Sequence, residues 1–350
     1  MAEGSEFSEI DVSCGISPEK SLRVGRIKAA LTLAVITPIL TELFSANMGP
    51  WEVLNPVGLF LQLMAYGVPV LFIREVAVRR GAGLPGLFLM GLAYSLYNEG
   101  IIAKTLFLGP PGGGMENYDG FTLFGIHLFW TVLITTWHAL HAIVFPIALV
   151  SALFGRVRSQ SWVSLPVMAA LAAVWAPLSI IGFLKLRSEY AHWGYFAGFV
   201  TAITVLLMLG KCLPRRTAFF TEGRGGNLRQ VIVGMVFYPV VIIGYFLATN
   251  FGAPPAILIF WPYGWVTAVY FFLRAKGWAI CVPIAFIALG DYGFGSLVNM
   301  LVHLDQEPLA KDKVVTLVLL FGSLAFITGM VLGRCRREEP SSPSHREKKA

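Results

Sequence analysis

Residues 122–153 read TLFGIHLFWTVLITTWHALHAIVFPIALVSAL, thirty-two positions without one Asp, Glu, Lys or Arg. As a helix this stretch rises about 1.5 Å per residue, more than enough to cross about 30 Å of hydrocarbon. A soluble core protein breaks its apolar runs sooner. Working outward, comparable runs recur along the whole chain. Windows of about 19 residues place spans at 28–47, 56–74, 84–105, 122–153, 162–184, 192–211, 229–250, 254–273, 277–301 and 314–333. Pro146 is a candidate kink in the fourth, and Pro254, Pro255 and Pro262 interrupt the eighth. Composition agrees: 13% of residues are charged and 56% hydrophobic, with mean hydropathy +0.69, against about 25% charged in soluble domains.

Loop charge tests this map independently. With the N-terminus inside, the inner segments hold Lys20, Arg23, Arg26 and Lys28, then Arg74, Arg79 and Arg80, then Arg156 and Arg158. Lys211, Arg215, Arg216, Arg224 and Arg229 follow, then Arg274 and Lys276, and the tail adds Arg334, Arg336, Arg337, Arg346, Lys348 and Lys349. Only Lys104, Lys185, Arg187, Lys311 and Lys313 fall outside. Such alternation follows the positive-inside rule. The expected fold is an all-α polytopic transmembrane helical bundle of about ten spans, with the N-terminus and C-terminus cytoplasmic, in the plasma (inner) membrane. Residues 1–27 form a cytoplasmic N-terminal segment without a cleavable signal peptide. Residues 28–333 form the bundle, and 334–350 a disordered cytoplasmic tail.

The net charge of +7 lies in loops and tail, with no basic stripe interleaved with aromatics, so no nucleic-acid partner is expected. Cys14, Cys212, Cys281 and Cys335 show neither disulfide nor zinc spacing. The run Gly109-Pro-Pro-Gly-Gly-Gly114 lacks the Lys-Ser/Thr of a phosphate loop. No cofactor and no metal is expected. The expected partners are the lipid bilayer and an unknown small-molecule or ion substrate.

Polar groups inside a bilayer face the bundle interior and mark function. They are Glu42, Gln62, Asn98, Glu99, His127, His138, His141 and Asp291. On the span map Glu42, Glu99, His127 and Asp291 fall in the outer half of the membrane. At 100° per residue, His138 lies about 20° from His127 after three turns, and His141 about 60° further. The three histidines thus share a stripe flanked by Trp130 and Trp137. Glu99 with His127 and His138 could activate water, whereas Glu42, Asn98, His141 and Asp291 are candidates for binding substrate or ion. His138 and His141 could also share a metal with Glu99 or Asp291, or the histidines could serve only to join helices. Gly290-Asp-Tyr-Gly-Phe-Gly295 fits either a broken helix of a carrier or close helix packing. Arg74 and Glu75 pair or snorkel at the cytoplasmic interface.

The segment Ala93-Tyr-Ser-Leu-Tyr-Asn-Glu-Gly-Ile-Ile-Ala-Lys104, followed by a histidine-bearing span, resembles the CAAX-protease and bacteriocin-processing family of membrane proteins. The resemblance implies a glutamate that activates water beside histidines supporting an oxyanion. Asn98-Glu99 stands in for the family's Glu-Glu, and Ala103 stands where its Arg belongs, with Lys104 one place late. Leu123 replaces the Phe of the second motif, and Ala142 and Phe145 stand where the third requires Asn or Asp. The chain is also similar to uncharacterised prokaryotic multispan membrane proteins. The favoured function is a transporter or permease with a polar site in the outer half of the bundle. The alternatives are a Glu/His intramembrane hydrolase and a structural or assembly subunit of a membrane complex.

Overall fold

A computed structural model describes residues 18–43, 55–110, 121–190, 192–213, 219–220, 227–275 and 281–302, together with Ala325 and Gly329. The helices among them are α1 (Glu19–Glu42), α2 (Pro56–Arg80), α3 (Leu84–Ser95, running on as a π turn over Leu96–Ile102), α4 (Leu128–Leu153), α5 (Leu165–Lys185), α6 (Trp193–Cys212), α7 (Leu228–Asn250), α8 (Pro255–Arg274) and α9 (Cys281–Val302). All but α3 and α9 are long and apolar enough to cross a membrane. Each of the first nine expected spans meets one of these helices. Apart from Ala325 and Gly329, the tenth lies outside the described residues, as does the expected disordered tail.

The helices differ in what covers them. In α4 83% of the most apolar window is buried, against 6% in α5 and 11% in α6. The stretch 128–153 is therefore the central helix, apolar on every side because it meets protein on every side. Leu165, Ile180, Ile181, Met208 and Phe260, on α5, α6 and α8, are exposed and offer an apolar surface to lipid.

The fourth span starts later than the sequence suggests. Thr122–Leu123 and Ile126–His127 form a short antiparallel hairpin, with Phe124 and Gly125 both at positive φ at its tip, as a tight primed turn demands. His127 is thus the cap of α4 and not part of it: its Nδ1 accepts from the Trp130 amide at 3.3 Å.

π turns interrupt α1 (Ile39–Leu43), α2 (Leu63–Gly67), α3 (Leu96–Ile102), α4 (Ala139–Val144) and α7 (Pro239–Ile243). Prolines explain four of the five, since Pro38, Pro69, Pro146 and Pro239 each lie at or within two residues of one. A proline offers no N–H and crowds the carbonyl four residues back, so the helix widens locally. The carbonyls released there find donors on neighbouring helices, as apolar surroundings require. Tyr94 donates to Ala65 O at 3.0 Å, Tyr292 to His141 O at 2.6 Å, and Trp261 to Val240 O at 3.0 Å.

Candidate functional site

The π turns gather the polar groups. Glu42 sits in that of α1, Tyr66 in that of α2, Asn98 and Glu99 in that of α3, and His141 in that of α4, with His138 one residue before it. The π turn of α7 supplies Val241 and Ile242 to a small pocket that also borders His141 and Asp291. Widened turns are uncommon in helices and recur at functional sites.

Two histidine–carboxylate pairs result. His138 Nε2 lies 3.3 Å from Glu99 Oε1, and His141 Nε2 lies 2.6 Å from Asp291 Oδ2. All four residues are at most 5% exposed. The tautomers follow from the backbone. His138 Nδ1 faces Ile134 O at 3.2 Å and His141 Nδ1 faces Trp137 O at 3.0 Å. A carbonyl only accepts, so each Nδ1 carries its proton and each Nε2 is left toward its carboxylate. Nε2 and a carboxylate oxygen are both acceptors unless one more proton lies between them. The His141–Asp291 pair, at 2.6 Å, therefore holds one proton beyond a neutral imidazole and a carboxylate, whereas His138 Nε2 and Glu99 Oε1 share the Asn98 amide as donor.

The pairs differ in support. Glu99 also accepts from Asn98 Nδ2 at 2.9 Å and from the Thr105 hydroxyl. Asn98 Nδ2 is also 3.5 Å from His138 Nε2. Among the described residues Asp291 is met by His141 alone, and its Oδ1 has no hydrogen-bond partner. Tyr66 extends the first pair, donating its hydroxyl to Glu42 while its ring stacks on His138 at 6.3 Å between centroids. Trp137 stacks on His141 at 4.5 Å and meets His138 edge-on at 4.9 Å, between the two pairs.

Of the residues expected to act together, Glu99 meets His138, and His141 meets Asp291. His127 is not among Glu99's partners: it caps α4, eleven residues or about 16 Å of helix rise before His138. The three-histidine stripe fails because His127 lies outside the helix and the π turn alters the spacing beyond His138. Each histidine has its own carboxylate, and among the described residues no three His, Cys, Asp or Glu come together to hold an ion. Around Asp291, α9 is continuous from Cys281 to Val302. Its glycines serve close packing: a Cβ on Gly290 would collide with Val231 O, and one on Gly234 with Ile287 O.

Sequence reasoning passed over Tyr66, Thr105 and Tyr292. Tyr66 and Tyr292 meet Glu42 and His141, 24 and 151 positions away, and Thr105 reaches Glu99 six positions back. It also understated two basic residues. Arg74 does not snorkel: Arg74 and Glu75 are both fully buried, paired at 2.6 Å. Glu75 further accepts from the Trp162 amide at 2.8 Å and from the Ser161 hydroxyl, while Arg74 donates to Arg158 O at 2.7 Å and lies 3.5 Å from the Trp162 ring centroid. Lys104 is buried with φ 53°, its ammonium donating to Phe183 O and Leu186 O at the end of α5, where a cation complements the helix dipole.

No curated protein and no solved structure matches the chain, and nothing in the comparisons supports the CAAX-protease resemblance. A family model does match, over residues 31–333, and by that match the chain belongs to an uncharacterized membrane protein family.

Proposed function

We propose that this integral membrane protein is a secondary transporter whose solute path runs along the interior seam of Glu42, Tyr66, Asn98, Glu99 and His138. The supporting observation is that these groups come from four helices, each at a π turn or beside one, and that all five are buried. Widened turns are places where a helix can change register at small cost, which alternating access requires of the elements around a site. The seam sits in the outer half of the membrane on the expected span map. The test is reconstitution into liposomes and measurement of tracer uptake with Na⁺, K⁺, tetramethylammonium, amino acids, phosphate and sulfate. A solute-specific uptake in the wild type that falls to the empty-liposome level in Glu99→Gln supports the reading. Absence of uptake with every solute counts against it.

One observation favours an intramembrane hydrolase instead: Glu99 and His138 lie within reach of a single shared water. A hydrolase would cleave a quenched fluorescent peptide in the same liposomes, lose that cleavage in Glu99→Gln, and take up no solute.

A further inference from the structure

We infer that Asp291 and His141 form the coupling-proton site of this transporter, and that the solute exchanged for the proton is a monovalent cation. The inference rests on the transport reading but uses a different pair of residues, His141 on α4 and Asp291 on α9. The pair holds one proton, because Nδ1 of His141 is committed to Trp137 O and its Nε2 meets Asp291 Oδ2 at 2.6 Å. With that proton the pair is neutral overall, whichever partner carries it. Around it are the ring of Trp137, Phe237, Val241 and Tyr238, and Asp291 itself is fully buried.

Release breaks the bond between that proton and the pair and delivers the proton to water. Asp291 is left as a carboxylate, and His141 stays neutral with its Nδ1 proton in place. The charge of the pair goes from zero to minus one in apolar surroundings. A bare buried charge is strongly disfavoured, so one positive charge must take the proton's place. A divalent ion would leave an excess of one; a monovalent cation restores neutrality. Oδ1 of Asp291, which has no hydrogen-bond partner among the described residues, is the oxygen placed to meet it, and the aromatic residues Trp137, Phe237 and Tyr238 line the same pocket, a ring type that attracts cations.

The titratable groups facing the pair are few. Tyr292 on α9 gives its hydroxyl to His141 O, and Tyr238 comes from α7. His138 lies one turn along α4, and Glu99 of α3 approaches only through His138. Neither Lys nor Arg borders the pocket.

Two measurements on the purified full-length protein test this. Infrared difference spectra across a pH step should show a carboxylic-acid or imidazolium band in the wild type that disappears in Asp291→Asn and persists in Tyr238→Phe. In proteoliposomes loaded with a fluorescent pH indicator, pulses of Na⁺, K⁺ or tetramethylammonium should release protons. Asp291→Asn should abolish that release, with Asp291→Glu restoring part of it. Calcium pulses should release none. An infrared band unchanged in Asp291→Asn overturns the proton site, whatever the transport assays show. Transport of a neutral or anionic solute, with no proton release on any cation pulse, overturns the cation exchange while leaving the transport reading standing. If no solute moves at all, the transport reading fails and the coupling role fails with it. Asp291→Asn that elutes as a monodisperse peak establishes that lost release is not misfolding, and His141→Gln provides a second variant should it aggregate.

Discussion

At the residue scale, Tyr66 joins two parts of the seam, since its hydroxyl serves Glu42 while its ring covers His138. Tyr66→Phe keeps the stack and removes one donor from a buried carboxylate, which costs about 1–3 kcal/mol. Thermal unfolding in detergent should report that loss, and an unchanged midpoint would mean that the Tyr66 hydroxyl contributes nothing to Glu42. The Arg74–Glu75 pair makes a stronger demand, because both partners are fully buried. Glu75→Gln leaves the Arg74 guanidinium without its countercharge, a change worth about 3–5 kcal/mol. Replacing both, as Arg74→Met with Glu75→Leu, removes the charge problem and should be milder than the single change. An additive pair of effects would show that the two residues do not act as a unit.

At the element scale, the π turns decide what each helix can present. Pro69 cannot use Ala65 O as an acceptor, and Tyr94 of α3 takes that carbonyl. Tyr94→Phe should therefore destabilise the wild type more than it destabilises a Pro69→Ala background, where an amide is restored to position 69. A double-mutant cycle should give a coupling of about 0.5–3 kcal/mol, and zero coupling would separate the proline from the hydroxyl. The same helices show where sequence periodicity stops being informative. Counting 100° per residue from His127 through His141 presumes one uninterrupted helix. Instead the hairpin at Thr122–His127 removes the first histidine from it, and the turn at Ala139–Val144 alters the pitch after the second.

At the scale of the whole molecule, α4 is enclosed and α5 and α6 form the periphery. The tight crossing of α7 and α9 at Gly234 and Gly290 leaves no space for a side chain. Gly290→Val should deplete folded protein, read as loss of the monodisperse peak on size exclusion, whereas Gly194→Ala, where open space surrounds the added methyl, should leave it intact. The distribution of Lys and Arg predicts both termini and the loop 154–161 on the cytoplasmic side. Single cysteines at Ser159 and Ser188, in a background lacking native cysteines, should label from the inside and outside respectively; the reverse pattern would invert the orientation.

The sequence by itself determined that the chain is a helical membrane protein and where the helices run. Both follow from local quantities: the length of uncharged apolar runs and the cost of placing charge in hydrocarbon. It also delivered the short list of interior polar residues, because each is conspicuous against an apolar background. Only the tertiary structure decided the partnerships. Glu99 goes to His138 and Asp291 to His141 across gaps of 39 and 150 positions, set by how helices cross and by where π turns rotate them. Neither has a period that can be read along one strand of sequence. The choice between a broken and a closely packed helix at Gly290–Gly295 was likewise made by a neighbour, since it is α7 that fills the space where a side chain would stand.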